Sequence, residues 1–127
     1  MAKLLHCETC GKVVEFIGGC EGGCATICCG KPMTELKANT TDAATEKHVP
    51  VVEIEGNTLK VSVGSVLHPM LDAHYIEFII LETDKETRRI DLHPGETPVV
   101  TFDITNAKPL RVYEFCNLHG LWVKELQ

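Results

Sequence analysis

The sequence lacks the features that mark membrane, secreted and nucleic-acid-binding proteins. No apolar run approaches the roughly 20 residues that a membrane helix needs. The N-terminus has a single Lys and no apolar core, unlike a secretory signal. Lys and Arg form no cluster, and the 127-residue chain carries a net charge of −6. An acidic chain without a basic cluster argues against nucleic acid and membrane surfaces as partners, so we expect a cytoplasmic protein that binds neither.

Amphipathic helices of useful length and solenoid repeats are also missing, and from His48 onward the pattern is that of β-strands. Strands are expected at residues 51–55, 58–64, 75–83, 88–92, 98–105, 110–116 and 121–126. Gly56-Asn57, between the first two runs, is typical of a β-hairpin turn. Short strands at near-regular spacing with turn residues between them predict an all-β sandwich of about seven strands.

The first 37 residues form a different kind of segment, in which glycines interrupt very short apolar runs. Such a segment builds no core of its own, because chains below about 40 residues usually need metals, disulfides or partners to fold. Residues 38–46 are small and polar and are interpreted as a linker. We therefore predict two domains, residues 1–37 and residues 38–127.

Six of the seven cysteines fall within the first 29 residues. An odd count without a signal sequence fits a disulfide scaffold poorly and favours thiolates bound to metal in a reducing cytosol. Cys7 and Cys10 form a CxxC pair followed by Gly, and the adjacent Cys28 and Cys29 are again followed by Gly. Four thiolates suit tetrahedral iron or zinc, and the spacing alone leaves redox iron and structural zinc equally open.

Cys20 and Cys24 exceed the four thiolates that one ion needs. They lie in the Gly-rich segment GGCEGGC, between the two cysteine pairs. We interpret this segment as a loop with spare thiols, or with a disulfide formed on oxidation. The alternative is ligand exchange, or a cluster that needs more than four thiolates.

A second candidate site combines histidines with the remaining cysteine. Its candidate ligands lie at strand ends or in predicted loops: His48, His68, His74, Cys116 and His119. Loops at one end of a sandwich come together, so four imidazoles and one thiolate could converge on one ion. Five protein ligands on an octahedral metal leave one position open, which separates a reactive site from a structural one. Taken singly, each His could instead be an ordinary surface or core residue, and Cys116 a buried apolar side chain.

The motifs CETC, CCGKPM, EKHVP, VGSVLHPM, HYIEF and CNLHGLW follow one another along the chain. In order and content they resemble those of the desulfoferrodoxins, the two-iron class of superoxide reductase, and the resemblance covers residues 3–124. The segment between the two cysteine pairs departs from the family pattern by its length and its two additional cysteines. The resemblance implies a desulforedoxin- or rubredoxin-like iron domain at residues 1–37. An immunoglobulin-like, seven-stranded catalytic sandwich is implied at residues 38–127.

The resemblance also implies two mononuclear non-haem irons. The first iron would be held by Cys7, Cys10, Cys28 and Cys29. The second would be held equatorially by His48, His68, His74 and His119, with Cys116 as the axial ligand. Glu46 and Lys47 match the family's loop over the active site. Lys47 would offer positive charge and a proton-donating hydrogen bond to the incoming anion, and Glu46 would occupy the sixth position of the resting ferric form.

The implied activity is the one-electron reduction of superoxide to hydrogen peroxide at the ferrous second site, with no oxygen made. An external donor such as rubredoxin would reduce that iron again, and the protein would detoxify superoxide in an anaerobe or microaerophile, as a homodimer. Two other classes stay open. One is an electron-transfer module in which the second metal is structural, and the other is a zinc-stapled binding protein without a redox role.

Overall fold

The computed structural model describes residues 2–19, 25–41 and 43–126. The chain divides into two compact units, Met1–Lys37 and Ala38–Gln127. Cys20 and Cys24 lie outside the described residues, so their interpretation as spare thiols stays a prediction.

The described part of the first unit contains five strands of two or three residues each. They are β1 (Leu4–His6), β2 (Val13–Glu15), β3 (Ile27–Cys28), β4 (Lys31–Pro32) and β5 (Thr34–Glu35). Strands β2, β1 and β5 form one antiparallel sheet, and β3 pairs with β4. Among the described residues of this unit, Leu4 and Cys7 alone are buried hydrophobic side chains. Bound metal is the cross-link that so small a core needs in order to hold its fold.

The second unit begins with a single helical turn, α1 (Thr45–His48), and continues with seven strands. They are β6 (Pro50–Glu55), β7 (Thr58–Val63), β8 (Ile76–Thr83), β9 (Thr87–Asp91), β10 (Val99–Asp103), β11 (Pro109–Cys116) and β12 (Gly120–Glu125). They form two antiparallel sheets, in the orders β10-β7-β6 and β12-β11-β8-β9. Both sheets contribute to one apolar core, for example Val61 from β7 and Leu81 from β8. The sheets therefore pack face to face, and the predicted fold class is confirmed.

Each of the seven predicted strands is present, with its ends shifted by no more than two residues. The Gly56-Asn57 turn joins β6 to β7, and Gly56 adopts a φ of 60°. The interpretation of residues 38–46 as linker is wrong at its end, because Thr45–His48 forms a helical turn. Four residues are too few to show helical periodicity. No helix in the described ranges has the length and apolar character to cross a bilayer.

Strand pairing brings distant loops to one end of the sandwich. The start of β6 lies beside the end of β7, where Pro50 pairs with Val63. The end of β11 lies beside the starts of β8 and β12, because Cys116 pairs with both Ile76 and Gly120. The candidate ligands of the second unit occupy these strand ends and the loops between them, so the register itself assembles the site.

Candidate metal centres

Four imidazoles form a ring at this end of the sandwich. The ligand atoms of His48, His68, His74, Cys116 and His119 all lie within 4.8 Å of one another. Neighbouring imidazoles are nearly perpendicular, with centroids 4.6 to 5.0 Å apart and interplanar angles of 80° to 83°. The neighbouring pairs run from His48 to His68, His74 and His119 and back to His48, so the four rings surround a common centre.

Backbone carbonyls set the tautomers of two of these rings. The Nδ1–H of His48 donates to the Ala44 carbonyl at 2.8 Å, and the Nδ1–H of His68 donates to the Pro69 carbonyl at 2.7 Å. Both Nε2 atoms therefore carry lone pairs, yet they face each other at 3.2 Å. The Nε2 of His74 is also buried and has no partner among the described residues. The Nδ1 of His119 lies 3.0 Å from the Nε2 of His48, so nitrogen atoms of all four rings converge, as around a bound cation.

Burial keeps these imidazoles in the neutral form that binds metal. Loss of solvent lowers the pKa of His48 and of His74, and lowers the pKa of His68 to about 4. The ammonium of Lys47 further lowers the pKa of His48 and His74 by charge repulsion. The positive charge of Lys47 therefore acts electrostatically on two of the four imidazoles.

Cys116 provides the soft ligand from the interior of the sandwich. Its side chain is fully buried in the core, and its Sγ lies 3.9 Å from Nδ1 of His119. Burial raises the pKa of the Cys116 thiol, and the charges of Glu114 and Glu77 raise it further. The backbone N–H groups of Leu118 and His119 oppose this rise by hydrogen bonding to the sulfur. A thiolate at this depth fits a metal, which supplies the positive charge that solvent does not.

The helical turn α1 carries Glu46 and Lys47, whose side chains are exposed. The carbonyl of Glu46 accepts hydrogen bonds from the Ser65 hydroxyl at 3.2 Å and from the Val66 N–H at 3.0 Å. Both donors belong to the loop after β7, which also carries His68. These bonds, one from a side chain and one from the backbone, tie α1 to that loop and hold two ligand-bearing segments together.

Two residues that sequence reasoning missed support the site. A Cβ at Gly64 would lie 2.5 Å from the carbonyl oxygen of Glu46, so α1 packs directly on this glycine. Asn117 accepts from the Tyr75 N–H at 2.9 Å and donates to the Ala73 carbonyl at 3.0 Å. An Asn within a tight turn is a sequence signal for such side chain–backbone bonding. No sequence signal marks the contact of Gly64 with Glu46, because it depends on how two separate segments pack together.

Four cysteines of the first unit form the other metal site. The sulfurs of Cys7, Cys10, Cys28 and Cys29 all lie within 4.8 Å of one another, and those of Cys10 and Cys28 are 3.6 Å apart. All four thiols are free. Gly11 adopts a φ of 82°, and its N–H donates to the Cys7 carbonyl at 2.8 Å. This glycine closes the turn of the CxxC pair, because few other residues accept that conformation.

The crowded thiols hold their protons unequally. A backbone hydrogen bond from Cys10 lowers the pKa of Cys7 to about 6. Hydrogen bonding with Cys7 raises the pKa of Cys28 to about 12, and hydrogen bonding with Cys10 raises the pKa of Cys29. One thiolate is stabilised at the expense of its neighbours, so all four ionise together only around a cation. The donor set fits one tetrahedral metal ion.

The family model for Desulfoferrodoxin matches residues 40–125, which is more than half of the chain. The chain belongs to the desulfoferrodoxin family. A desulfoferrodoxin of Syntrophotalea carbinolica is 48% identical over 123 residues, which cover 97% of this chain and 95% of that protein. A protein named superoxide reductase in Pyrococcus abyssi is 32% identical over 100 residues, which cover 65% of this chain and 87% of that protein.

The crystal structure of the superoxide reductase from Treponema pallidum is similar over both units of this chain. The two proteins are 36% identical, superpose with a TM-score of 0.81, and match over 98% of this chain and 99% of that one. Desulfoferrodoxins bind two iron centres, and the two donor sets of this chain match them. The cofactors are thus two mononuclear non-haem irons, one with four cysteines and one with four histidines and a cysteine.

Proposed function

We propose that this chain is a superoxide reductase that converts superoxide into hydrogen peroxide at the four-histidine, one-cysteine site. The observation that carries this function is the donor set itself. Five protein atoms converge on one centre, which leaves an octahedral metal one position for a small ligand. The similarity to proteins named superoxide reductase supports the same function.

In this reaction superoxide takes up one electron and two protons and leaves as hydrogen peroxide. Iron bound by the imidazoles and the thiolate supplies the electron. The chain itself has to attract the anion, although its net charge is −6. We assign that task to Lys47, whose exposed ammonium acts electrostatically on His48 and His74. A local cation beside a site concentrates anionic substrate there and can donate a hydrogen bond to it.

The two faces of the histidine ring differ, which supports one direction of approach. Cys116 belongs to the core of the sandwich, whereas Glu46 and Lys47 are exposed on α1. Superoxide is therefore proposed to enter opposite the thiolate, on the side of the helical turn. Once iron is bound there in its oxidised state, the carboxylate of Glu46 would fill the same open position; we base this on its place two residues before His48 in the same helical turn.

The remaining assignments follow from the family and from the division into two units. Residues 1–37 are proposed to be the desulforedoxin-like iron domain and residues 38–127 the catalytic domain. We further propose a rubredoxin-like electron donor, a homodimer, and a cytoplasmic role in superoxide detoxification in an anaerobe or microaerophile. The free state of the described cysteines supports a reducing compartment. A unit with so small a core would gain stability by burying more of its surface against a second copy of the chain, which supports the dimer. Sedimentation of the iron-loaded protein tests this.

Rapid mixing of the reduced, iron-loaded protein with superoxide tests the proposed function. The expected products are one hydrogen peroxide for each superoxide consumed and no oxygen. Dismutation would release oxygen as well, and would contradict the assignment. Iron-loaded protein that leaves superoxide untouched would instead identify an electron-transfer module, and zinc at both sites would identify a metal-stapled binding protein.

A further inference from the structure

His74 is held differently from His48 and His68. The rings of His48 and His68 are oriented by Nδ1–H bonds to backbone carbonyls. The Nε2 of His74 is buried and has no hydrogen-bond partner among the described residues. The direction of this imidazole therefore depends on how the backbone at residue 74 is held.

The backbone around His74 forms a small closed turn. The N–H of Leu71 donates to the His74 carbonyl at 2.9 Å, and the N–H of His74 donates to the Leu71 carbonyl at 3.0 Å. The ladder of β8 begins only at Ile76, after this turn. The turn is rigid within itself, but these two bonds do not attach it to the rest of the site.

Asn117 provides that attachment. Its Oδ1 accepts from the Tyr75 N–H at 2.9 Å, and its Nδ2–H donates to the Ala73 carbonyl at 3.0 Å. Its backbone N–H donates to the Tyr75 carbonyl at 3.2 Å. These three bonds hold the chain on both sides of His74, and Asn117 directly follows Cys116 in the sequence.

We propose that Asn117 is a positioning residue that fixes the imidazole of His74 relative to Cys116 and His119. The inference rests on the proposed metal site and deepens it. One side chain couples the segment with two ligands to the segment with a third, over 42 positions in the sequence. Because metal affinity depends on how well the ligands are pre-oriented, loss of this coupling weakens the second site by about 10- to 100-fold.

The chain offers a matched control for Asn117→Ala. Asn39 also bonds the backbone in two directions, because its Oδ1 accepts from the Val123 N–H at 2.9 Å and its Nδ2–H donates to the Val123 carbonyl at 3.3 Å. Its backbone N–H donates to the Leu121 carbonyl at 3.0 Å. Asn39→Ala thus removes the same kinds of side-chain bond from a strand edge that carries no ligand.

The experiment is chelator competition on the iron-loaded wild type, Asn117→Ala and Asn39→Ala proteins. Asn117→Ala should lose iron from the histidine site at about 10- to 100-fold lower chelator concentration, and the thiolate-to-iron absorption of that site should shift. Asn39→Ala should match wild type in both measurements. Equal affinity and equal spectra in the two variants would overturn the positioning role. Iron at the four-cysteine site serves as an internal reference.

A measurement on wild type alone keeps the proposal testable where Asn117→Ala does not fold. Amide hydrogen exchange at Tyr75 should be equally slow with and without metal, because Asn117 bonds this N–H in the chain itself. Fast exchange until metal binds would mean that the metal orders the turn, and would contradict the proposal. Both readouts are independent of turnover, so failure to make hydrogen peroxide would remove the proposed function and leave the test of Asn117 intact.

Discussion

Lys47 is exposed, and its charge acts on His48 and His74. Lys47→Ala should therefore slow superoxide reduction at low salt by about tenfold or more and flatten its dependence on ionic strength, because local positive charge raises the encounter rate of an anion. Rapid-mixing kinetics over a range of salt concentrations measure both effects. Iron content should not change, since Lys47 belongs to neither donor set.

Lys108 supplies the control for this prediction. It is exposed just before the start of β11, at the end of that strand opposite Cys116, and Lys108→Ala changes the net charge by the same amount. The rate for this variant should stay close to wild type. Equal slowing in both variants would assign the effect to net charge rather than to a local role of Lys47.

Glu114 is a carboxyl inside the sandwich, on the core face of β11 between Val112 and Cys116. Neither of its oxygens has a hydrogen-bond partner among the described residues, and burial raises its pKa well above the ordinary value of 4.5. Between the ordinary and the raised pKa, Glu114 therefore keeps its proton in the folded chain and has released it in the unfolded chain. It follows that the free energy of unfolding falls as pH rises from that ordinary value toward the raised one.

Glu114→Gln removes this titration, so its stability relative to wild type should increase from acidic to mildly alkaline pH. Urea denaturation of the two iron-loaded proteins across that range measures the difference. The exposed Glu53, on β6, gives the control Glu53→Gln, which makes the same chemical change outside the core. A stability difference for Glu114→Gln that stays constant with pH would contradict the prediction.

At the scale of elements, the short helix α1 is positioned by a contact rather than by its own stability. Four residues form no stable helix alone, because nucleation outweighs the few hydrogen bonds gained. Hydrogen bonds from the Ser65 hydroxyl and the Val66 N–H to the Glu46 carbonyl hold the turn in place, and the absence of a side chain at Gly64 leaves room for it. The same turn carries Glu46, Lys47 and His48. Its placement therefore fixes the positions of the ligand His48 and of the positive charge on Lys47 at the same time.

Gly64→Ala should displace α1, because the added Cβ would meet the carbonyl oxygen of Glu46 at 2.5 Å. We expect slower superoxide reduction, weaker iron binding at the histidine site and unchanged iron at the four-cysteine site. Gly56→Ala is the control, since a Cβ there meets nothing within 4 Å. That variant should lose about 1 kcal/mol through its positive φ and keep its activity. Similar iron affinity in both variants would count against the role of Gly64.

The whole molecule consists of two units, each with its own donor set and its own way of holding metal. In the first unit the described core is two side chains, so the metal carries much of the stability. In the second unit the sandwich is stable through its two packed sheets, and the site is built on strand ends and the loops between them. Loss of one iron should therefore leave the other in place.

Cys10→Ser should remove the four-cysteine iron and lower the iron content from two atoms per chain to one, while the histidine site keeps its iron and its reaction with superoxide. Metal analysis and the absorption spectrum measure this. The double variant Cys20→Ser and Cys24→Ser is the control and should keep both irons. Loss of the first iron from the double variant would show that the ligand choice is wrong.

The strands could be predicted from the sequence, because the alternation of apolar residues and the turn residues between the strands are patterns over a few positions. It also named the residues of both donor sets, since the CxxC spacing and the motifs around the histidines are local patterns. The helical turn α1 was not predicted from the sequence, because four residues are too few to show a helical repeat of apolar positions.

How these residues act together depends on contacts between segments that are far apart in the chain. The facing Nε2 atoms of His48 and His68 are separated by 20 positions in the sequence. The clamp of Asn117 on Tyr75 spans 42 positions, and Glu114, a charged residue type, is fully buried on β11. These contacts come from strand register and sheet packing, which join segments far apart in the chain. No local pattern encodes them, because the same short motif in another register would meet different neighbours.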